Sequence, residues 1–488
     1  MDPYINGIIL YLAVLTGVGI YKSRKVKTQD DFMVAGRKTT AVFLAGTLIC
    51  TWVGSGSLFG GAGLAFRMGI SQLWMSAGAW VGIAIVYFLA DRVRKISQYT
   101  LSDILEKRYN SLARILGTTV VIIAYLTIAG YQFRGGGRLL NILTGMDPQT
   151  GAAVTCVATI LFTIIAGMVS IIAMDLLNGI MIIVGVFIAL PLAYGAIGGS
   201  QALASLPADR FAVLGTEDSV WAMGVFLPTF FLLMGESSIY QKFFSAKDGK
   251  TAKKAVIGMI IGVIVVETSL CLLSVIGSSK YLALAPFANP DGTLDKAATE
   301  TIILYLARHD LPTFAGVLLI CAAVAIILST ANTFLMVPST NVTRDIYQRF
   351  INPGVSEEAI VKFQRIWIAI LGIVAFVVAN FFKSILDMAF TAYTMVGAGI
   401  TPALLAAFLW KRVTVQGGVA SIIAGMSVTL VITIANIVMP QHLIETDYII
   451  LPAATASIIC LVGVSLATQP SPEEKWKPFV KEASESIS

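Results

Sequence analysis

The chain has 488 residues, of which 57% are hydrophobic and 13% charged, and its apolar runs reach the ~20 residues a bilayer crossing needs, so a water-soluble globular domain is excluded. The formal charge of +6 therefore has to be read by position along the chain. The five cysteines, at 50, 156, 271, 321 and 460, all fall in apolar runs without paired spacing, and both histidines, His309 and His442, lie outside those runs. Neither a disulfide framework nor histidine catalysis nor a histidine metal site is suggested.

Thirteen apolar runs follow one another at 4–21, 39–66, 69–90, 113–144, 150–170, 171–197, 219–241, 255–279, 311–337, 361–382, 384–409, 415–438 and 448–468, and are numbered helices 0 to 12. The first lacks a basic leader and carries its Lys/Arg cluster behind it, so it reads as a retained span rather than a signal peptide. Most Lys and Arg fall in 22–38, 91–114, 242–254, 338–366, 410–412 and the tail. The positive-inside rule then puts those segments in the cytoplasm, the N-terminus outside and the C-terminus inside, in a plasma or bacterial inner membrane. Residues 280–310 form the longest outside loop, with a turn at Asn289-Pro-Asp-Gly292 and a short helix after it, a candidate lid. The tail 469–488 is short and polar, and no Walker motif is present, which argues against ATP as the energy source.

Helix 1 contains Cys50-Thr-Trp-Val-Gly-Ser-Gly-Ser-Leu-Phe-Gly-Gly-Ala-Gly63. Each glycine weakens a helix by ~1 kcal/mol relative to alanine, and hydrocarbon offers no water to a freed amide. A break at this depth lines a cavity or a bound ion, or else the small residues form a close-packing face. Helix 6 carries a comparable interruption, Met234-Gly-Glu-Ser-Ser238, five helices later. An odd offset gives the two halves opposite orientations, the pattern of an inverted-repeat secondary transporter. Helix 8 places Ser329, Thr330, Asn332 and Thr333 within five residues of an otherwise apolar run. Carbonyls freed at a break and hydroxyls opposite them suit a hard cation such as Na⁺.

Further motifs are Asp31-Phe-Met-Val-Ala-Gly-Arg37, Trp52-Val-Gly-Ser-Gly56, Tyr99-Thr-Leu-Ser-Asp-Ile-Leu-Glu-Lys-Arg108, Gln241-Lys-Phe-Phe-Ser-Ala-Lys247, Leu328-Ser-Thr330 with Arg344-Asp-Ile-Tyr347, and Leu409-Trp-Lys-Arg412. On these, from residue 4 to about 440, the chain resembles the sodium/solute symporter family of sodium-coupled sugar, proline, sialic acid, pantothenate and choline transporters. The resemblance implies an all-α integral membrane protein of 13 transmembrane helices with the leucine-transporter fold. Two inverted five-helix repeats would occupy 39–197 and 198–412. Helix 0 and its inside loop (1–38), helices 11 and 12 (413–468) and a cytoplasmic tail (469–488) would surround them.

The resemblance implies a main sodium site from the carbonyls of Cys50, Val53 and Ile326 and the hydroxyls of Ser329 and Thr330. It also implies a second site at Asp175, Asn332 and Thr333, although Asn and Thr replace the serines expected there; the other reading of Asp175 is a structural cap. Arg134 and Arg138 in helix 3, Glu236 in helix 6 and Glu267 in helix 7 are charges within spans. Arg134 either receives a substrate carboxylate or pairs with Glu236, and Arg138 either contacts substrate or pairs with Glu267. The solute cavity is expected to take Trp52, Ser55, Ser57, Gln72, Ser76, Gln132, Arg134, Glu236, Ser237, Thr391 and Tyr393. The acidic residue and gating aromatic of sugar-carrying relatives fall at Leu73 and Ser238, which argues against a hexose. The expected activity is sodium-coupled import of a small carboxylate or zwitterion by alternating access, with Na⁺ the coupling ion. No organic cofactor, nucleic-acid partner or covalent chemistry is implied; the partners are the solute and membrane lipid. A proton-coupled carrier using Asp175, Glu236 or Glu267, a channel and a sensor are the alternatives.

Overall fold

The computed structural model describes residues 2–24, 28–96, 98–439 and 441–480. Residues 25–27 of the expected first inside loop and 481–488 of the expected tail lie outside them. Among the described residues, eleven helices are long and apolar enough to cross a membrane, and Ala41–Trp52 is a shorter apolar helix. No strand is present there beyond two isolated bridges, Thr39 with Ala246 and Ala288 with Leu294.

The main helices are α1 (Pro3–Ser23), α2 (Ala41–Trp52), α3 (Ala62–Met68), α4 (Leu73–Ile96), α5 (Ser111–Thr144), α6 (Pro148–Ala196), α7 (Ser219–Gly235) and α8 (Ser237–Ser245). They continue with α9 (Gly249–Tyr281), α10 (Thr313–Thr340), α11 (Glu357–Ala379), α12 (Ile385–Gly399), α13 (Thr401–Leu409), α14 (Val415–Val438) and α15 (Ile450–Ala467). Their starts are written in the sequence. Asp2, Asn110, Asp147, Asp218, Asp248, Ser356, Ser384 and Thr414 each accept a hydrogen bond from a first-turn amide, satisfying a donor that the helix itself cannot.

Helix α10 is the axis of the bundle. It packs on α6, α5 and α1, and every residue from Leu319 to Thr340 is buried. Helix α2 packs against α6 and α9, while α4 packs against α7 and α9. The outer faces of α1, α6, α11 and α14 stay apolar although exposed, with Leu10, Val157, Leu161, Ile373, Val377, Val431 and Val438 turned outward. Apolar surface on that scale fits a lipid surround.

Three interruptions shape the interior. After α2, Val53 adopts extended backbone (φ −74°, ψ 95°), and a π-helical stretch, Gly56–Gly61, leads into α3. Between α7 and α8, Glu236 has nearly the same backbone (φ −69°, ψ 101°). The 49-residue α6 turns at Gly167 (φ +63°), where a Cβ would lie 2.8 Å from the Phe32 ring. This is close to the expected boundary between two spans at 170 and 171.

Two features differ from the hydropathy pattern. The run 384–409 is interrupted at Ile400 and forms two helices, α12 and α13. The helical path of α10 does not stop at residue 337 but runs through Pro338 into a π-helical stretch, Asn341–Ile351. Proline removes one ladder hydrogen bond, and the wider turn that follows absorbs the mismatch.

Candidate functional site

The break in helix 1 meets the hydroxyl cluster of α10. The Thr330 hydroxyl donates to the Cys50 carbonyl at 3.0 Å and reaches the Val53 carbonyl at 3.2 Å. The Ser329 hydroxyl lies 3.4 Å from the Cys50 carbonyl oxygen and 3.3 Å from that of Ile326. All five residues are buried. Three carbonyls and two hydroxyls thus converge in one place, and five neutral oxygens form a donor set that a hard monovalent cation accepts.

The freed backbone has a second support. Once the helix ends at Trp52, the Ser55 amide donates to Gln132 Oε1 on α5 at 2.9 Å. A Cβ at Gly54 would lie 2.9 Å from Gln132 Nε2 and 3.0 Å from Thr330 Cγ2, so the break closes tightly only with glycine there. Ser55 Oγ and Gln132 Nε2 are buried and find no partner within the described chain.

The expected second-site residues are arranged differently. Asp175 on α6 accepts from the Thr47 hydroxyl at 2.5 Å and lies 3.6 Å from the ammonium of Lys242 on α8. That ammonium also donates to the Thr47 carbonyl (3.0 Å), to the Thr51 hydroxyl and to the Thr333 hydroxyl (3.3 Å). The Asn332 side chain turns away and accepts from Thr163 at 3.0 Å. Asp175 and Thr333 therefore share a lysine, and Asn332 does not join them. Asp175 also accepts from Asn178, which accepts from Tyr11.

Part of the expected solute cavity assembles around Glu267, which the sequence offers as a partner for Arg138. Glu267 on α9 accepts from the Trp52 indole (2.9 Å), the Ser57 hydroxyl (3.1 Å) and the Trp80 indole (3.1 Å). Among the described residues no Lys, Arg or His comes within 4.0 Å of it. Tyr393 stacks on Trp52 with ring centres 6.4 Å apart, and its hydroxyl faces Gly56 and lies 3.5 Å from that of Tyr131. Gln72 donates to Ser76 at 3.4 Å. Glu236 accepts from Tyr125 and from the Ser238 hydroxyl, leaving its second oxygen and the neighbouring Ser237 hydroxyl buried and unpartnered within the described chain.

The ion-pair alternatives for the two arginines are corrected. Arg134 spends its guanidinium on the carbonyls of Phe382 (2.6 Å) and Lys383 (3.1 Å), just past the C-terminal end of α11, rather than on Glu236. Arg138 pairs with Glu300 of the 280–310 segment rather than with Glu267, and Glu300 also accepts from the Leu386 amide at 3.0 Å. None of these contacts joins Arg134 to the Trp52–Glu267 group. Thr391 likewise opens on a separate cleft, with Asp387, Thr433, Asn436 and His442. Lys242, Thr47, Thr51 and Trp80 were missed as site residues; the one available signal was a lysine directly after a broken run.

The model of the sodium:solute symporter family matches residues 32–425. The chain belongs to that family. It is 24% identical to the osmoregulated proline transporter OpuE of Bacillus subtilis (strain 168), over 96% of each chain. It is also 24% identical to the sodium/pantothenate symporter of Escherichia coli (strain K12), covering 88% of this chain and 90% of that one. A substrate-bound, outward-open Na⁺-coupled sialic acid symporter matches the fold with a TM-score of 0.78 at 18% identity, over 97% of this chain and 99% of that one. Mhp1, a nucleobase-cation-symport-1 family transporter, matches with a TM-score of 0.57 at 11% identity, over 92% and 97%. The architecture is thus the leucine-transporter type, and the named relatives are transporters, not enzymes.

Proposed function

We propose that the protein is a sodium-driven symporter that imports a small zwitterionic solute by alternating access. One observation carries the sodium reading: where helix 1 is broken, the Ser329 and Thr330 hydroxyls lie 3.0 to 3.4 Å from the carbonyl oxygens of Cys50, Val53 and Ile326, bringing together oxygens of two separate helical elements. A bare cation there draws α2 and α10 together, and its loss lets them part. The ion acts through its different affinity for the two arrangements. On this reading Gly167 separates two crossings and α2 with α3 forms one, giving thirteen crossings with the N-terminus outside. The paired interruptions at Val53 and Glu236 support inverted repeats at 39–197 and 198–412. The inward sodium gradient and membrane potential drive the cycle, at ~2.3 kcal/mol per charge per 100 mV.

Glu267 favours a solute bearing an ammonium over a simple anion. Its carboxylate has neutral indole and hydroxyl donors, and an ammonium beside Trp52 would neutralise it, with the Trp52 and Tyr393 faces adding cation–π attraction.

The test is uptake into proteoliposomes of radiolabelled zwitterionic amino acids, proline included, beside pantothenate as an anion. An inward sodium gradient should drive uptake of a zwitterion, and Glu267→Gln should raise the solute concentration for half-maximal uptake by tenfold or more. Uptake indifferent to sodium would overturn the symport reading. Uptake of pantothenate alone, untouched by Glu267→Gln, would overturn the zwitterion reading.

A further inference from the structure

We propose that the ammonium of Lys242 is a resident cation standing where a second coupling ion would bind, so that each cycle carries one sodium ion. The inference rests on the sodium reading above and sets its ion count. Lys242 belongs to α8, beyond the second helix break, and is wholly buried. Its Nζ is surrounded by oxygens from three other helices: the Thr47 carbonyl and Thr51 hydroxyl of α2, the Thr333 hydroxyl of α10, and the Asp175 carboxylate of α6.

An anion, two hydroxyls and a carbonyl from three helices are what a monovalent ion would take there. The ammonium uses its donors on the neutral oxygens and its charge on Asp175. A sodium ion placed among the same oxygens would sit beside a like charge that cannot diffuse away, and like charges this close disfavour each other. The cage of Cys50, Val53, Ile326, Ser329 and Thr330 has no such obstacle: its hydroxyls contact only neutral carbonyl oxygens. Thr51 follows Cys50 in sequence, and Thr333 lies three residues after Thr330, so the fixed charge and the exchangeable one are about one helical turn apart. The tethered charge remains with α8 whichever side the cage opens to.

Equilibrium binding of ²²Na⁺ to the full-length purified protein in lipid nanodiscs decides the matter without knowledge of the solute. Wild type should bind one ion per chain, and combining Ser329→Ala with Thr330→Val should weaken that binding tenfold or more. Lys242→Ala should bind two, because Asp175 and the three freed oxygens then accept sodium. Two ions per wild-type chain, or a single ion in a Lys242→Ala protein that melts as sharply as wild type, would overturn the resident-cation proposal and leave the sodium cage standing. No bound ion in wild type, or one whose affinity stays within twofold of wild type in that double variant, would instead overturn the cage on which the proposal rests. Should Lys242→Ala fail to fold, the wild-type count still decides.

Discussion

Replacing Thr330 with valine keeps the side-chain shape and deletes one oxygen of five, so it weighs the ion contact apart from packing. A hydrogen-bond-type contact to a charged partner contributes about 1.5–3 kcal/mol. Part of this is offset, because without an ion the same hydroxyl can donate to a carbonyl of Cys50 or Val53, 3.0 and 3.2 Å away. Losing that neutral interaction raises the free state by about 1 kcal/mol. The net penalty on sodium binding is then about 0.5–2 kcal/mol, or roughly 2- to 30-fold in the half-saturating concentration. Adding Ser329→Ala deletes a second oxygen and should bring the shift to tenfold or beyond. Intrinsic fluorescence reads it, since Trp52 immediately precedes Val53 and stacks on Tyr393. Sodium should be titrated against potassium at constant ionic strength, with Thr330→Ser, which keeps the hydroxyl, as the control. A double variant that half-saturates within twofold of wild type would refute the cage.

Two further substitutions test the charges that the bundle holds. Arg134→Ala removes the guanidinium bound to the Phe382 and Lys383 carbonyls, so thermal stability should fall while sodium-driven uptake survives; an uptake defect at unchanged melting temperature would show a solute contact instead. Arg114 is buried among Asp103, Glu106 (2.6 Å) and Asp345 (3.0 Å), so Arg114→Met leaves three carboxylates without that cation and should lower stability by about 3–5 kcal/mol, seen as lost folded yield in size-exclusion profiles. Wild-type yield and melting from Arg114→Met would refute that account.

The helix break was legible because its cause is local: glycine and serine disfavour a helix wherever they sit, and oxygen-bearing residues 329 to 333 stand out in an apolar run. Partner choice was not local. Depth along a span suggested Arg134 with Glu236 and Arg138 with Glu267, but depth does not say which helices adjoin. The actual partners are of kinds that hydropathy passes over: Glu300 from a connecting segment, the Tyr125 phenol, the indoles of Trp52 and Trp80, and helix-end carbonyls. Lys242 was hidden for another reason. The apolar run ends at Gln241 and the lysine was counted with the inside segment 242–254, yet α8 continues to Ser245 and is buried throughout. Averaging over a window hides one charge whose burial depends on oxygens contributed by three distant helices.

Residues 52 to 57 connect the two proposed sites within one stretch of chain. The Trp52 indole and the Ser57 hydroxyl go to Glu267, the Val53 carbonyl faces Thr330, and the Ser55 amide is held by Gln132. An intact helix here would fold these carbonyls and amides into its own ladder and leave neither site its donors. With the helix open, fixing the Val53 carbonyl on an ion also fixes, one residue away, the indole that a solute would meet. Ordering supplied by one ligand need not be supplied again by the next, which makes their binding mutually favourable. The factor by which sodium improves solute affinity must equal the factor by which solute improves sodium affinity. The coupling therefore needs no long relay through the bundle: six residues of broken helix, held tightly at Gly54, are enough to carry it.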